Sequence, residues 1–305
     1  MKKYVAALDQ GTTSSRALLF DENGRAVASA QEEFPQIYPR PGWVEHDPRD
    51  LLSSQFGALR AAMRAGGVAA EEIAALGIAN QRETVLLWDK FTGKPVYNAI
   101  VWQCRRTSAF CEQLARTHGE MIYSRTGLRT DAYFSASKAK WLLDNVPFAR
   151  ERAEKGELLF GTVDTYLIWH LTGGKVHATD YTNASRTMLF NIHTLSWDEE
   201  LCRLFGVPMR ILPEVRPSGA DFGVTEKSLF GAEIPVCAAA GDQQAALFGH
   251  LCTEEGTGKT TYGTGCFLLV NTGGRALRPQ NGLLTTLAAP EDRVGRPQYA
   301  PEGSV

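Results

Sequence analysis

Three β-type segments fill the first 34 residues, and the two polar turns between them narrow the folds open to this chain more than any other feature. YVAAL runs apolar up to Asp9, and DQGTTSSR follows as a turn. RALLFD then alternates toward Asn23-Gly24, which leads into RAVASAQEEF. An Asn-Gly pair between alternating segments predicts a hairpin. Further along, strands and helices take turns. Asp47-Pro48 caps and opens a helix reaching residue 63. Strands are expected over 74–79 and 85–88 around NQRET, and helices over 107–118 and 135–145. Residues 158–171 start as a strand and become a helix near Asp164. A helix is expected to begin over 195–205, a buried strand covers 234–240, and a helix covers 242–251. Strands return over 260–271 and 283–289. Hairpins followed by alternation indicate an α/β domain around a mixed sheet.

At 305 residues the chain has room for two domains. Its 44% hydrophobic and 22% charged content supports a packed core rather than wholesale disorder. A net charge of −2 points to no nucleic-acid or anionic-membrane partner. The apolar run before Asp9 is too short for a signal segment, and no run approaches the ~20 residues of a membrane span. Cysteines 104, 111, 202, 237, 252 and 266 form no CxxC pair, which fits reduced thiols in a cytosolic protein. Oligomeric state is left open, a homo-oligomer included.

Glycine-threonine runs raise the question of phosphate binding. In EGTGKTTYGTGCF, Gly258-Lys259-Thr260 matches the end of a P-loop, but Thr253 stands where its first glycine belongs. The expected helix precedes this run and β structure follows it, the reverse of a P-loop. Lys259 is therefore expected to be a solvated loop lysine. YGTG sits between β segments, where a Gly-Thr-Gly turn can offer backbone N–H groups without side-chain bulk. An ordinary hairpin turn is the plainer reading of YGTG alone. DQGTTSSR has the same character: Asp9 at a strand end could hold Mg²⁺, Gly11 to Ser14 could donate to phosphate oxygens, and Arg16 could neutralise charge.

DQGTTSSR, NQRET, VWQCRRT, TVDTYLIW, TDYTNASRTMLFNIHTLSWD, AGDQQAALFG and YGTGCF together resemble the FGGY carbohydrate kinases, over the whole stretch from Tyr4 to Val305. The resemblance is to those members that phosphorylate glycerol. It implies the actin/hexokinase/Hsp70 fold: two ribonuclease-H-like domains, with ATP and substrate between them and β-hairpins as phosphate turns. On that basis residues 1–250 are expected to form a substrate domain and 251–305 the beginning of a nucleotide domain. The implied reaction is ATP-dependent phosphorylation of glycerol to sn-glycerol 3-phosphate, with ATP and Mg²⁺ as cofactors.

By the same resemblance, Asp242 in GDQQ is the catalytic carboxylate, accepting the proton of the attacking hydroxyl. From sequence alone it would read as a helix N-cap. Arg82, Glu83, Tyr133 and Gln243 would hold hydroxyls, and Trp102 and Phe267 would wall the carbon backbone. Thr12, Thr13, Ser14, Arg16 and Thr264 would contact nucleotide phosphates, and Asp9 and Asp242 would make the metal site. Residues 179–187 are given a structural loop role near the cleft.

Three departures qualify the resemblance. Family members continue for a further lobe, so the chain is expected to stop inside a second domain and to turn over little or no ATP alone. Pro301 replaces the usual leucine and removes an N–H, which should weaken strand pairing there. Residues 226–235 lack the Gly-Arg and the histidine of two regulated groups of relatives, Ser228 standing in the histidine's place, so neither regulation is expected. Rival readings are a pentulose kinase, which two aromatic walls disfavour, and a non-catalytic glycerol-binding remnant.

Overall fold

The computed structural model describes residues 3–262, 266–279, 282–289 and 296–304. The chain opens with β1 (Tyr4–Gln10), β2 (Ser14–Phe20) and β3 (Ala26–Glu33), then β4 (Glu45–His46) and helix α1 (Pro48–Gly66). Strands β5 (Ile73–Asn80), β6 (Val85–Asp89) and β7 (Ala99–Ile100) follow. Next come α2 (Ser108–Thr126), α3 (Ser135–Asn145), α4 (Ala149–Lys155), β8 (Leu158–Thr162) and α5 (Val163–Leu171). The middle is built from short pieces: β9 (Ala178–Asp180), α6 (Tyr181–Ala184), β10 (Phe190–Asn191), β11 (Ser196–Trp197), α7 (Glu199–Phe205), β12 (Glu214–Arg216) and α8 (Lys227–Phe230). The last part holds β13 (Val236–Gly241), α9 (Asp242–Gly249), β14 (Gly258–Tyr262), β15 (Cys266–Val270), β16 (Leu284–Leu287) and β17 (Tyr299–Ser304).

The principal sheet runs in the order β13-β5-β1-β2-β3 and is mixed, as the sequence pattern predicts. The two hairpins make β1, β2 and β3 antiparallel, while β5 and β13 add on parallel to β1. A second sheet, β4-β7-β6-β8, lies between two hydrophobic cores. Strand β6 shows how: Leu86 and Trp88 face one core, Val85 and Leu87 the other, and all four are at most 1% exposed. That division follows the two-residue period of a strand. Burying each such side chain contributes roughly 1.5–3 kcal/mol. Leu51, Leu59 and Ala62 of α1, with Leu167 and Ile168 of α5, pack into the first core against Leu8, Leu19, Leu76 and Ile78.

Two helix boundaries differ most from the sequence reading. Helix α2 continues past Gly119 to Thr126, because Ile122 keeps its apolar face buried and Gly127, at φ 70°, makes the stop. Near Leu195 the chain first forms the β10–β11 ribbon, with Leu195 itself left-handed at φ 53°. Only then does Asp198 cap α7 through the Glu200 and Leu201 N–H groups.

Residues 258–304 supply a separate antiparallel sheet, β14-β15-β17-β16. Pro301 lies in its interior strand, opposite Thr285. Pairing to β15 begins one residue later, at Glu302 opposite Leu269. The weakened pairing expected at the proline is thus confined to one side of β17. Among the described residues no helix is long and apolar enough to cross a membrane.

Candidate active site

Gln10, Asn80 and Gly241 lie side by side at the C-terminal ends of β1, β5 and β13. The chain leaves each strand there into the same space, which is where open α/β sheets place their ligands. Past β1 comes the Gly11–Ser14 turn, past β5 the Gln81–Glu83 segment, and past β13 the start of α9 at Asp242. Close approach forces glycine at two of these exits. A Cβ on Gly11 would stand 2.9 Å from the Ser14 carbonyl, and one on Gly241 would stand 2.6 Å from Arg82 Cδ. Glu83 is left-handed at φ 61°, a conformation that costs about 1–3 kcal/mol in a non-glycine residue. Such strain persists where surrounding contacts over-determine it, and here they do.

Those contacts form a buried charge network. Arg82 Nη1 and Nη2 donate to the two oxygens of Glu302 at 2.6 and 2.9 Å, and Nη1 also donates to Gln244 Oε1 at 3.2 Å. Arg186 Nε donates to Glu83 Oε1 at 2.6 Å, and its Nη2 to Glu302 Oε1 at 3.0 Å. All four charged residues are at most 3% exposed. Two guanidiniums and two carboxylates balance, which a buried cluster requires. Burial pushes the Glu302 carboxyl up, but Arg186 and Arg82 outweigh it and hold its pKa low. Burial also raises Glu83, and the same two arginines oppose that rise without cancelling it.

Asp242 sits at the edge of this network. Its Oδ1 is 3.4 Å from Arg82 Nε and accepts the Gln243 N–H at 2.7 Å. The side chain keeps 39% of its surface accessible, yet protein crowds it, and this desolvation raises its pKa. Arg82 pulls the other way, and the Asp9 charge adds to the rise. Asp9 is raised too, by burial first, against the lowering effect of Arg16.

A cleft of about 350 Å³ opens over these groups. Trp102, Tyr133 and Phe267 give it apolar walls, with the Trp102 ring 5.6 Å from that of Tyr133 and 6.5 Å from that of Phe267. Trp102 is fixed at both ends: its indole N–H donates to Thr12 Oγ1 at 3.0 Å, and its backbone N–H to Thr84 Oγ1 at 3.2 Å. Small volume, two or three aromatic faces and a floor of charged donors and acceptors suit a short polyhydroxylated molecule.

The structure gathers Arg82, Glu83, Trp102, Tyr133, Asp242, Gln243, Phe267, Thr12 and Thr13 around this one cleft. Ser14 and Arg16 stand outside its lining; Arg16 Nη2 donates to Gln31 Oε1 at 2.8 Å, and Gln31 in turn donates to Ser14 Oγ. Thr264 and the rest of the YGTG turn after Tyr262 lie outside the described residues. The P-loop is excluded, since Gly258, Lys259 and Thr260 are in β14, after α9. The expectation for Lys259 needs correction. It is 6% exposed, and its ammonium donates to Gln243 Oε1 and, at 2.7 Å, to Thr261 Oγ1. Its strand position turns it inward, where burial and the Arg82 charge lower its pKa.

Sequence reasoning missed Arg186 and Glu302. Arg186 lies within the 179–187 run assigned a structural role, and Glu302 lies 220 positions from Arg82. No periodicity or spacing connects residues so far apart. Gln36 and Tyr38, which also line the cleft, carried no signal, and Gln81, Gln103 and Thr261 lie in the quoted motifs but were given no role.

Comparison with known proteins gives the geometry a context. Residues 4–249 match the N-terminal domain of the FGGY family of carbohydrate kinases. A protein named glycerol kinase from Pseudothermotoga lettingae is 59% identical over 94% of this chain and 58% of its own length. Glycerol kinase 2 of Thermotoga maritima is 59% identical over 99% of this chain and 61% of its own. The crystal structure of Plasmodium falciparum glycerol kinase with ADP superposes with a TM-score of 0.94 at 36% identity, covering 99% of this chain and 61% of that one. This chain therefore spans about three-fifths of the length of the relatives it matches.

Proposed function

The chain belongs to the FGGY family of carbohydrate kinases, and on that premise we propose that it carries the polyol site and catalytic carboxylate for ATP-dependent phosphorylation of glycerol to sn-glycerol 3-phosphate. The observation that carries this reading is the Asp242 carboxylate, 3.4 Å from Arg82 Nε on the floor of a cleft of about 350 Å³. Arg82 and Glu83 offer one donor and one acceptor to neighbouring hydroxyls. Each is locked by Glu302 or Arg186, so little ordering remains to be done when the ligand binds. Trp102 and Phe267 face the carbon chain, and Tyr133 and Gln243 complete the polar rim.

In the proposed step Asp242 accepts the proton of the hydroxyl whose oxygen attacks the γ-phosphorus. The new O–P bond forms as the bond from that phosphorus to the ADP oxygen breaks. A raised pKa makes Asp242 a better acceptor than an ordinary carboxylate. Thr12, Thr13, Ser14, Arg16 and Thr264 are proposed to face the nucleotide phosphates. For the metal, the structure offers two carboxylates, Asp9 and Asp242, close enough to raise the pKa of Asp242 by repulsion. A hard cation relieves that repulsion, and Mg²⁺ takes one or two protein carboxylates alongside phosphate oxygens. When bound there it supplies positive charge against the transferring phosphoryl group. Cytoplasmic location and a domain boundary near residue 250 belong to the same proposal, the latter because the family match ends at 249 and a new sheet begins at 258.

Calorimetric titration of this chain is the test. Glycerol is expected to bind saturably and xylulose at least about tenfold more weakly, a gap of some 1.4 kcal/mol. Any glycerol-dependent ATP turnover should fall roughly 10²–10⁴-fold in Asp242→Asn while glycerol still binds. Absence of glycerol binding, or equal affinity for both ligands, overturns the reading.

A further inference from the structure

Asp180 has no place in the chemistry above, yet it is fully buried and heavily hydrogen bonded. Its Oδ1 accepts from the Asn183 backbone N–H at 2.9 Å and from Asn183 Nδ2 at 2.8 Å. Its Oδ2 accepts from the Thr182 N–H at 2.9 Å, the Thr182 hydroxyl at 2.6 Å and the Ser218 hydroxyl at 2.7 Å. A helix cap needs only the two backbone contacts. The side-chain contacts lead elsewhere.

One arm reaches β13. Thr182 Oγ1 accepts the Gly241 N–H at 2.8 Å, directly before Asp242. The other arm reaches β5. Asn183 Nδ2 donates to Asn80 Oδ1 at 3.0 Å, and Asn80 Nδ2 returns a bond to Asn183 Oδ1 at 2.9 Å. Asn80 Nδ2 then bonds the Gln81 carbonyl at 2.9 Å, directly before Arg82 and Glu83. Asn80 and Gly241 are themselves register partners in the sheet. Thr182, Asn183 and Asn80 are all 0% exposed, so no water competes for these bonds.

We infer that Asp180 is a positioning residue that ties the exits of β5 and β13 together, and so sets Arg82 and Glu83 against Asp242. An ionised carboxylate can only accept. The single hydroxyl proton of Thr182 must therefore point at Asp180, which leaves its lone pairs for the Gly241 N–H. The same constraint turns the amide nitrogen of Asn183 toward Asp180 and fixes which way its exchange with Asn80 runs. An amide at position 180 would present donors to groups that already donate, and both relays would lose their direction. The inference rests on the proposed role of Asp242 and Arg82, but its structural half can be read without any ligand.

The test is backbone and side-chain amide NMR of the full chain in Asp180→Asn, Thr182→Val and Thr182→Ser. Asp180→Asn is expected to shift both the 80–83 and the 241–242 signals and to weaken glycerol binding about tenfold or more, the scale of one lost buried hydrogen bond. Thr182→Val should shift only the 241–242 set and speed Gly241 amide exchange by about tenfold, whereas Thr182→Ser keeps the hydroxyl and should restore parental exchange. Asp180→Asn leaving either set unmoved, or Val and Ser variants with equal Gly241 exchange, overturns the inference. If Asp180→Asn fails to fold, the Val and Ser pair decides. A parent chain that binds no glycerol overturns the proposed function instead, and the amide signals still judge Asp180.

Discussion

Residues carry this site largely through burial of charge, and the same burial makes one titration legible elsewhere. Asp164 is fully buried, and burial together with the nearby Asp180 charge pushes its carboxyl up to about 7, against hydrogen bonds from the Thr162 and Thr179 hydroxyls. An unfolded aspartate releases its proton near 3.8. Between those values the native state holds a proton that the unfolded state has lost, so stability drains as pH rises through the window and levels off above it. Asp164→Asn cannot titrate. Its stability relative to the parent should therefore improve by about 2 kcal/mol from pH 5 to pH 7. Urea unfolding of both proteins at pH 5, 6, 7 and 8 checks this, and a pH-independent difference contradicts it.

Elements place the site by where they end. Parallel β1, β5 and β13 deliver Gly11, Gln81 and Asp242 to one edge because Gln10, Asn80 and Gly241 share a register. That edge is tight. Gly241 has ordinary backbone angles, φ −59° and ψ 143°, so its need for glycine comes from the Arg82 stem beneath it and not from conformation. Gly241→Ala should displace Arg82 from its seat between Asp242 and Glu302 and weaken glycerol binding by about tenfold or more, since overpacking of this kind typically costs 1–3 kcal/mol. Calorimetry reads the affinity and thermal unfolding reads the stability. An alanine variant that binds glycerol like the parent would show that the arginine yields without consequence.

Across the whole molecule, residues 258–304 complete what the first part begins. The later sheet supplies Glu302 to both arginines and Phe267 to the cleft wall. It is also fastened by Thr286 Oγ1 to Ser185 Oγ at 2.8 Å, and by the Tyr299 hydroxyl donating to the Ile192 carbonyl at 3.0 Å. A chain shortened to residues 3–252 keeps the two large cores of the first part and is expected to fold cooperatively. It removes Glu302 and leaves the two guanidiniums with Glu83 and, for Arg82, Asp242 as their carboxylate partners, a loss that should cost about 3–5 kcal/mol. Denaturant unfolding measures that loss, and glycerol titration should find at least about tenfold weaker binding; unchanged affinity would mean the later sheet does not shape the site. The sequence by itself determined the hairpins, the alternation of strands and helices, and the motifs NQRET and GDQQ, because strand period, turn chemistry and helix caps are all local. It read Asp242 and the Arg82–Glu83 pair only through family resemblance. Tertiary structure alone decided that Lys259 is buried, that Arg186 and Glu302 close the charge network, and that Asp180 links two strand ends. Each of these depends on groups of opposite charge or complementary hydrogen bonding meeting across tens to hundreds of positions, and local pattern holds no record of such meetings.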